Sequence, residues 1–264
     1  MIKTKYLLYA FKQPIGTKYA YWYETDKKYF SSTKPPKKLL DNSRTIEKID
    51  KKDIIDNPWL EWDSNDVQKI VSKKDNICIN YLRSTNSELI GKEEDLKLLE
   101  MYSHLVNTLD ISKPFGFSTV KQWHKEIFAH IYPFAGDLRT VNMTKGTADE
   151  VWEWQLSFLN GITPFDTFLK QVSAKEYDDI DKVTLDISKL ICDFLFIHPF
   201  REGNGRLSRL VSDILLAKNG FPMIGLKLKK SDNYIQRVHE GYQCNYEPMR
   251  ELLKDKIIEE ITSE

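Results

Sequence analysis

Apolar residues recur along this chain at two different spacings. Residues 2–30 hold two aromatic runs on either side of Gln13-Pro14-Ile15-Gly16, a pattern that predicts two short strands around a turn. The polar run Ser31-Ser32-Thr33-Lys34-Pro35-Pro36-Lys37-Lys38 reads as a linker, and residues 39–60 are charged and without a clear period. From Asp63 onward the spacing becomes helical. Asp63 or Ser64 is placed to cap a helix carrying Val67, Ile70, Val71, Ile77 and Tyr81. A second helix is expected over 93–108, with Leu96, Leu99, Tyr102 and Val106 on one face. Ser118 would cap a third, through Val120, Trp123, Ile127 and Phe128. The stretch between Gly136 and Gly146 alternates and reads as extended, one hairpin near residue 140. Helical spacing returns over 148–159, 182–196, 206–218, 233–239 and 247–261. The reading is a mainly α body, 61–264, behind a small N-terminal segment, 1–60, that contains short strands.

Composition narrows the classes. Hydrophobic content of 41% and charged content of 30% suit a globular domain. Lys plus Arg, 39, equals Asp plus Glu, 39, so no net field would hold the chain on nucleic acid or a membrane surface. The lysine bias of the first 60 residues reads as a solvated face. Cys78, Cys192 and Cys244 are widely separated, which fits neither a disulfide framework nor a zinc spacing and suggests a reducing, cytoplasmic setting. No run approaches the roughly 18–20 apolar residues of a bilayer span.

The chemistry concentrates in His198-Pro199-Phe200-Arg201-Glu202-Gly203-Asn204-Gly205-Arg206-Leu207-Ser208-Arg209, between two apolar helical stretches. Pro199 disfavours helix at the residue before it. Glycines on both sides of Asn204 allow a tight turn and a close backbone approach to a ligand. A helix then starts, with its unpaired N–H groups and positive dipole end facing the loop, a cradle for polyphosphate. Arg206 and Arg209 project from neighbouring positions and suit bidentate phosphate contacts. Glu202 is a hard oxygen ligand suited to Mg2+, and His198 is a base for neutral pH. These parts together serve phosphoryl or nucleotidyl transfer. No GxxxxGK[ST] sequence supports a P-loop instead.

This segment resembles the Fic signature HxFx[DE]GNGRxxR, with His198, Phe200, Glu202, Gly203, Asn204, Gly205, Arg206 and Arg209 at every specified position. Residues 131–142, with Ala135-Gly136-Asp137-Leu138-Arg139, resemble the entry to the Fic flap, and Asn219-Gly220-Phe221-Pro222 the turn after the signature helix. The resemblance implies a Fic-type helical bundle with a small β-hairpin flap. It implies a protein adenylyltransferase that moves AMP from ATP, with Mg2+, to a Tyr, Thr or Ser hydroxyl of a target protein. His198 would be the base and Glu202 the metal ligand. Gly203, Asn204 and Gly205 would line the anion hole, and Arg206 and Arg209 would hold the phosphates. Phe200 would anchor the loop in the core, and Tyr234 would lie near the adenine. Thr140, Val141, Asn142, Met143, Thr144, Lys145 and Gly146 would form the flap that docks the target by strand addition. Doc-type relatives that move a terminal phosphate carry lysine at the place of Gly205, so glycine resembles the AMP-transferring group.

Many Fic proteins also carry an inhibitory [ST]xxxE[GN] helix. Ser84 and Glu88, or else Ser43 and Glu47, match it in part, and both pairs depart from it at the last position. The alternative is regulation by a separate antitoxin, or none; an antitoxin or a second copy of the chain is the further partner expected besides the target. The competing readings of function are phosphotransfer, another nucleotide donor, removal of AMP, and a Fic scaffold that binds a partner without catalysis.

Overall fold

In the computed structural model of the chain the residues described are 5–12, 17–23, 44–50, 68, 70–72, 77–110, 112–145, 152–154, 156–228 and 233–263; up to residue 72 every described residue but Gln68 is given by its backbone alone. They fall into two units, one of 1–96 with 128–135 and one of 97–127 with 136–264. Among the described residues no helix is long and apolar enough to cross a membrane.

The first unit opens with the expected aromatic strands, β1 (Lys5–Lys12) and β2 (Thr17–Tyr23), paired antiparallel from Tyr6↔Tyr23 to Lys12↔Thr17. A strand the sequence pattern did not single out, β3 (Arg44–Asp50), pairs with the other edge of β1, giving the order β2-β1-β3. The helix expected from Asp63 is not formed at Ile70–Ser72 or at Ile77–Cys78. β4 (Ile70–Ser72) and β5 (Ile77–Cys78) pair antiparallel there. Both strands are rich in β-branched residues, which pack well on a pleated surface and spoil the helical reading of a short apolar run. Asp63, Ser64, Val67, the linker and Ser43 lie outside the described residues. Later in this unit Tyr81 N donates to Ile131 O at 2.7 Å, and Tyr132 Oη donates to the buried Glu94 Oε1 at 2.9 Å.

Helix α1 (Ser87–Thr108) begins where Asn86 Oδ1 accepts the N–H groups of Glu88 and Leu89. Its buried apolar side chains are Ile90, Leu98, Met101 and Leu105, whereas Leu96, Leu99 and Val106 are exposed at 50%, 50% and 70%. Of the four residues expected to share a face, three are exposed and only Tyr102 is half-buried. The helix carries two apolar stripes of equal periodicity, and only its neighbours choose between them.

In the second unit α2 (Phe117–Phe128) starts with Phe117 N donating to the side chain of Asp166 at 2.7 Å. Then come β6 (Met143–Lys145) and β7 (Trp152–Trp154), paired Met143↔Trp154 to Lys145↔Trp152. This is the expected hairpin, but its return strand occupies residues expected to be helical. The following helix, α3 (Leu159–Ala174), begins only after a 3-10 turn at Leu156–Phe158. Gly161 and Pro164, which lower helix propensity, hid α3 from the sequence reading.

Helix α4 (Ile180–Ile197) is the centre of this unit, packed against α3, α5 (Asn204–Lys218), α6 (Tyr234–Gly241) and α7 (Glu247–Ser263). Its broad apolar face is buried, with Val183, Ile187, Leu190, Ile191, Phe194 and Leu195 enclosed, while Lys182, Asp186 and Lys189 line the side left open to solvent. Each such side chain contributes about 1.5–3 kcal/mol on burial. The well-packed pair α4 and α5 frames the loop 198–203.

Candidate active site

Pro199 has no N–H, so the carbonyl of Leu195 lacks its usual i→i+4 donor at the end of α4. Two side chains take its place. His198 Nδ1 lies 3.2 Å from Leu195 O, and Tyr242 Oη donates to the same oxygen at 3.2 Å. A carbonyl only accepts, so Nδ1 carries the proton, and in the neutral form of the ring the lone pair is on Nε2. His198 is 9% exposed and closes α4 in the left-handed region, φ 48° and ψ 59°. That conformation costs a non-glycine residue about 1–2 kcal/mol.

The loop is tied down from inside. Asn204 Oδ1 accepts Phe200 N at 3.0 Å and Asn204 Nδ2 donates to Phe200 O at 2.7 Å, closing the turn like a paired peptide. Phe200 is fully buried, stacked on Phe117 and in contact with Phe194, the anchoring expected of it. Gly203 sits at φ 83° as the cap of α5, a conformation that glycine adopts at no steric cost. Gly203 N donates to Glu202 Oε1 at 3.1 Å. Gly205 is part-exposed, and a Cβ there would meet nothing within 4 Å.

Arg206 and Arg209 follow on the first turns of α5, both half-buried. The Nε of Arg209 is buried without a hydrogen-bond partner among the described residues, a costly arrangement for a guanidinium unless an anion completes it. One turn further on, the buried Asp213 accepts from Tyr102 Oη at 2.6 Å, Ile224 N at 2.8 Å and Gly225 N at 2.7 Å. Burial raises the Asp213 carboxyl against the pull of these donors and of Arg209. Tyr234 is buried, its hydroxyl beside Ser208 and Arg209, and burial pushes its phenol up to about 12.

A second segment lies against the loop. Leu138 bridges Phe200, and Arg139 N donates to Pro199 O at 2.9 Å. The Arg139 side chain donates from Nε to His198 O at 2.7 Å and from Nη1 to Val141 O at 2.8 Å, and lies over the Phe158 ring at 4.2 Å. Burial first, then the charge of Arg201, brings this guanidinium down to about 10. The hairpin then continues through Thr140, Val141 and Asn142 into Met143–Lys145, with Thr144 exposed and Met143 half-buried. Gly146 lies outside the described residues.

The sequence places Arg139 in the flap entry and Tyr102 on a helix face, but it points to no site role for either, nor for His124 or Asp213. For Tyr102, His124 and Asp213 the available signal is a polar residue on an apolar helix face, and for Arg139 its place in the flap-entry motif. Of the inhibitory candidates, Glu88 is exposed and paired with Lys92 at 2.7 Å, and Ser84 Oγ accepts Asn86 N at 3.0 Å. Glu47 lies in β3, where only the backbone is described.

Comparison with known proteins fits this geometry. Residues 114–216 match the model of the Fic/DOC family. The chain is 24% identical over 164 residues to a protein adenylyltransferase Fic of Nematostella vectensis, covering 62% of this chain and 36% of that one. It is 27% identical over 163 residues to the protein of the same name from Aedes aegypti, covering 59% and 30%. The chain thus spans about a third of the length of these curated relatives. The fold is similar to the N-terminal FIC domain of Bep8 from Bartonella sp. 1-1C, with TM-score 0.61 and 15% identity over 71% of this chain and 94% of that one. It is also similar to BepC from Bartonella tribocorum, solved with bound AMPPNP, with TM-score 0.59 and 14% identity over 71% and 95%.

Proposed function

This chain carries a Fic domain over residues 114–216, and from that premise we propose that it is a protein adenylyltransferase, moving AMP from ATP to a hydroxyl side chain of a target protein. The observation that carries the reading is the 3.2 Å contact between His198 Nδ1 and Leu195 O, which orients the ring. With Nδ1–H engaged on Leu195 O, the basic atom Nε2 belongs to the ring that opens the anion-binding loop. The target hydroxyl would give its proton to Nε2 while its oxygen attacks the α-phosphorus, and the bond from that phosphorus to the pyrophosphate oxygen would break. The backbone N–H groups at the start of α5 would receive the phosphates. Asn204 would contribute through its backbone, since its side-chain amide is committed to Phe200. Arg209, with its buried Nε, would take a phosphate oxygen together with Arg206.

Glu202 suits Mg2+. It is a hard, part-exposed carboxylate, and among the described residues no group of three or more His, Cys, Asp and Glu side chains forms an all-protein metal cage. Such a donor set fits an ion that takes one carboxylate and fills its shell with phosphate and water oxygens. The ion would neutralise charge on the polyphosphate.

The open space at Gly205 supports AMP transfer over terminal phosphate transfer, because no side chain there would crowd the cradle. Tyr234, with its ring buried, would act toward the nucleotide through Ser208 and Arg209. The β6–β7 hairpin would hold the target as an added strand. Free cysteines at 78, 192 and 244 support a cytoplasmic setting.

The test is incubation of the protein with labelled ATP, Mg2+ and a lysate, beside a His198→Ala control, followed by intact-mass measurement of labelled proteins. An AMP-sized addition absent from the control is expected. A phosphate-sized addition would replace the reading with phosphotransfer, and nucleotide binding without any labelling would replace it with a binding scaffold.

A further inference from the structure

His124 is fully buried in α2, away from the signature segment in sequence, and every polar atom of its ring is used. The amide of Gly136 has only a proton to offer, so His124 Nδ1, 2.8 Å away, accepts it. A neutral imidazole with an accepting Nδ1 carries its proton on Nε2. That N–H then donates to the backbone carbonyl of Glu202 at 3.0 Å. The ring face lies on Phe200, 4.0 Å between centroids and 8° from parallel. One side chain therefore holds two pieces of backbone, the entry to the β6–β7 hairpin and the peptide that follows Glu202, and packs on the buried Phe200 ring between them.

We propose that His124 is a positioning residue for Glu202, aiming its carboxylate by holding its carbonyl, and that the same ring fixes the root of the hairpin to the catalytic loop. The role assigned to Glu202 rests on the adenylyltransferase reading, whereas the way it is held does not. The reason is local geometry. Fixing the Glu202 carbonyl fixes the peptide between Glu202 and Gly203, and with it the direction of the Glu202 Cα–Cβ bond. Gly203, at φ 83°, has wide backbone freedom and would otherwise let that peptide turn. The hairpin side is equally constrained. Gly136 stands at φ 84°, and a Cβ on it would come within 2.8 Å of Lys125 Cβ, so its amide comes close against α2.

Two near-isosteric substitutions separate this role from plain packing. In His124→Asn the amide oxygen takes the place of Nδ1 and keeps the Gly136 bond while losing the Glu202 bond. In His124→Gln the amide nitrogen takes the place of Nε2 and does the reverse. Both lose the stack on Phe200 alike. Hydrogen–deuterium exchange over residues 199–205, in protein without nucleotide, is expected to rise about tenfold in His124→Asn, as loss of one hydrogen bond would give. It should stay near wild type in His124→Gln. Calorimetry with AMPPNP and Mg2+ is expected to show affinity reduced about tenfold or more in His124→Asn, the usual effect of losing a ligand's support. Without Mg2+ the two variants should bind AMPPNP equally.

Equal exchange in the two variants, or faster exchange in His124→Gln, would overturn the proposal. Should a variant fail to fold, 15N spectra of the wild-type imidazole decide, because a protonated Nδ1 on His124 is incompatible with it. A wild-type protein that binds no nucleotide sinks the adenylyltransferase reading alone, since the exchange comparison still decides the role of His124.

Discussion

The imidazole of His198 is oriented by the carbonyl of Leu195, three residues before it, across 3.2 Å. That oxygen is available because Pro199 cannot complete the helix, so one proline both ends α4 and sets the tautomer of its neighbour. His198→Ala should lower the rate of AMP transfer about 10²–10⁴-fold if Nε2 is the general base. A variant retaining more than a tenth of wild-type initial rate would remove His198 from that role.

Arg139 holds the same loop from the other side. Its Nε donates to the carbonyl of His198 and its Nη1 to that of Val141. Arg139→Ala should cost about 3 kcal/mol, since two charge-assisted bonds to buried carbonyls are lost. Arg139→Lys should recover little of it, because a single ammonium cannot reproduce the planar fork. Denaturant midpoints of the three proteins test this, and a lysine variant as stable as wild type would contradict it.

Gly225 lies where α5 meets the backbone that serves Asp213. A Cβ at this position would come within 2.9 Å of Arg209 O and 2.5 Å of Asp213 Oδ2. Gly225→Ala should therefore destabilise by about 1–3 kcal/mol. It should also raise KM for ATP, because the backbone of Arg209 must shift. Unchanged KM with lowered stability would separate Arg209 from the nucleotide.

His124 makes stability depend on pH. Burial pushes its imidazole down to about 4, below the ordinary value near 6.5. Between those values the unfolded chain binds more protons than the folded one. The stability contributed is complete above about pH 6.5 and is lost as pH falls towards 4, by about 3 kcal/mol in total. Urea unfolding at pH 7 and pH 4.5 should show a larger loss in wild type than in His124→Gln, and equal losses would mean that the ring titrates normally.

Glu88 gives a last test. Its carboxylate is 75% exposed and pairs with Lys92 one turn on, so Glu88→Gly should cost the helix only about 1 kcal/mol, mainly through glycine propensity. Increased AMP transfer in this variant would give Glu88 the inhibitory role, whereas an unchanged rate would leave it a surface ion pair.

What the sequence by itself determined is what local chain chemistry controls. The loop from His198 to Arg209 is contiguous, and its proline, its glycines and the helix that follows specify its shape within twelve residues of chain. Helices α4 and α5 were equally plain, because most of their apolar residues share one broad face, and that face is the buried one. Tertiary structure decided the remainder. α1 has two apolar stripes, and the one carrying Leu98, Met101 and Leu105 is buried only because neighbours lie on that side. The short apolar runs at Ile70–Ser72 and Trp152–Trp154 became strands because partners at Ile77–Cys78 and Met143–Lys145 supplied their hydrogen bonds. Arg139, His124 and Tyr102 reach the site across 59, 78 and 111 residues of chain. A hydrogen bond between residues so far apart leaves no periodic trace in sequence, because its geometry exists only once the helices have packed.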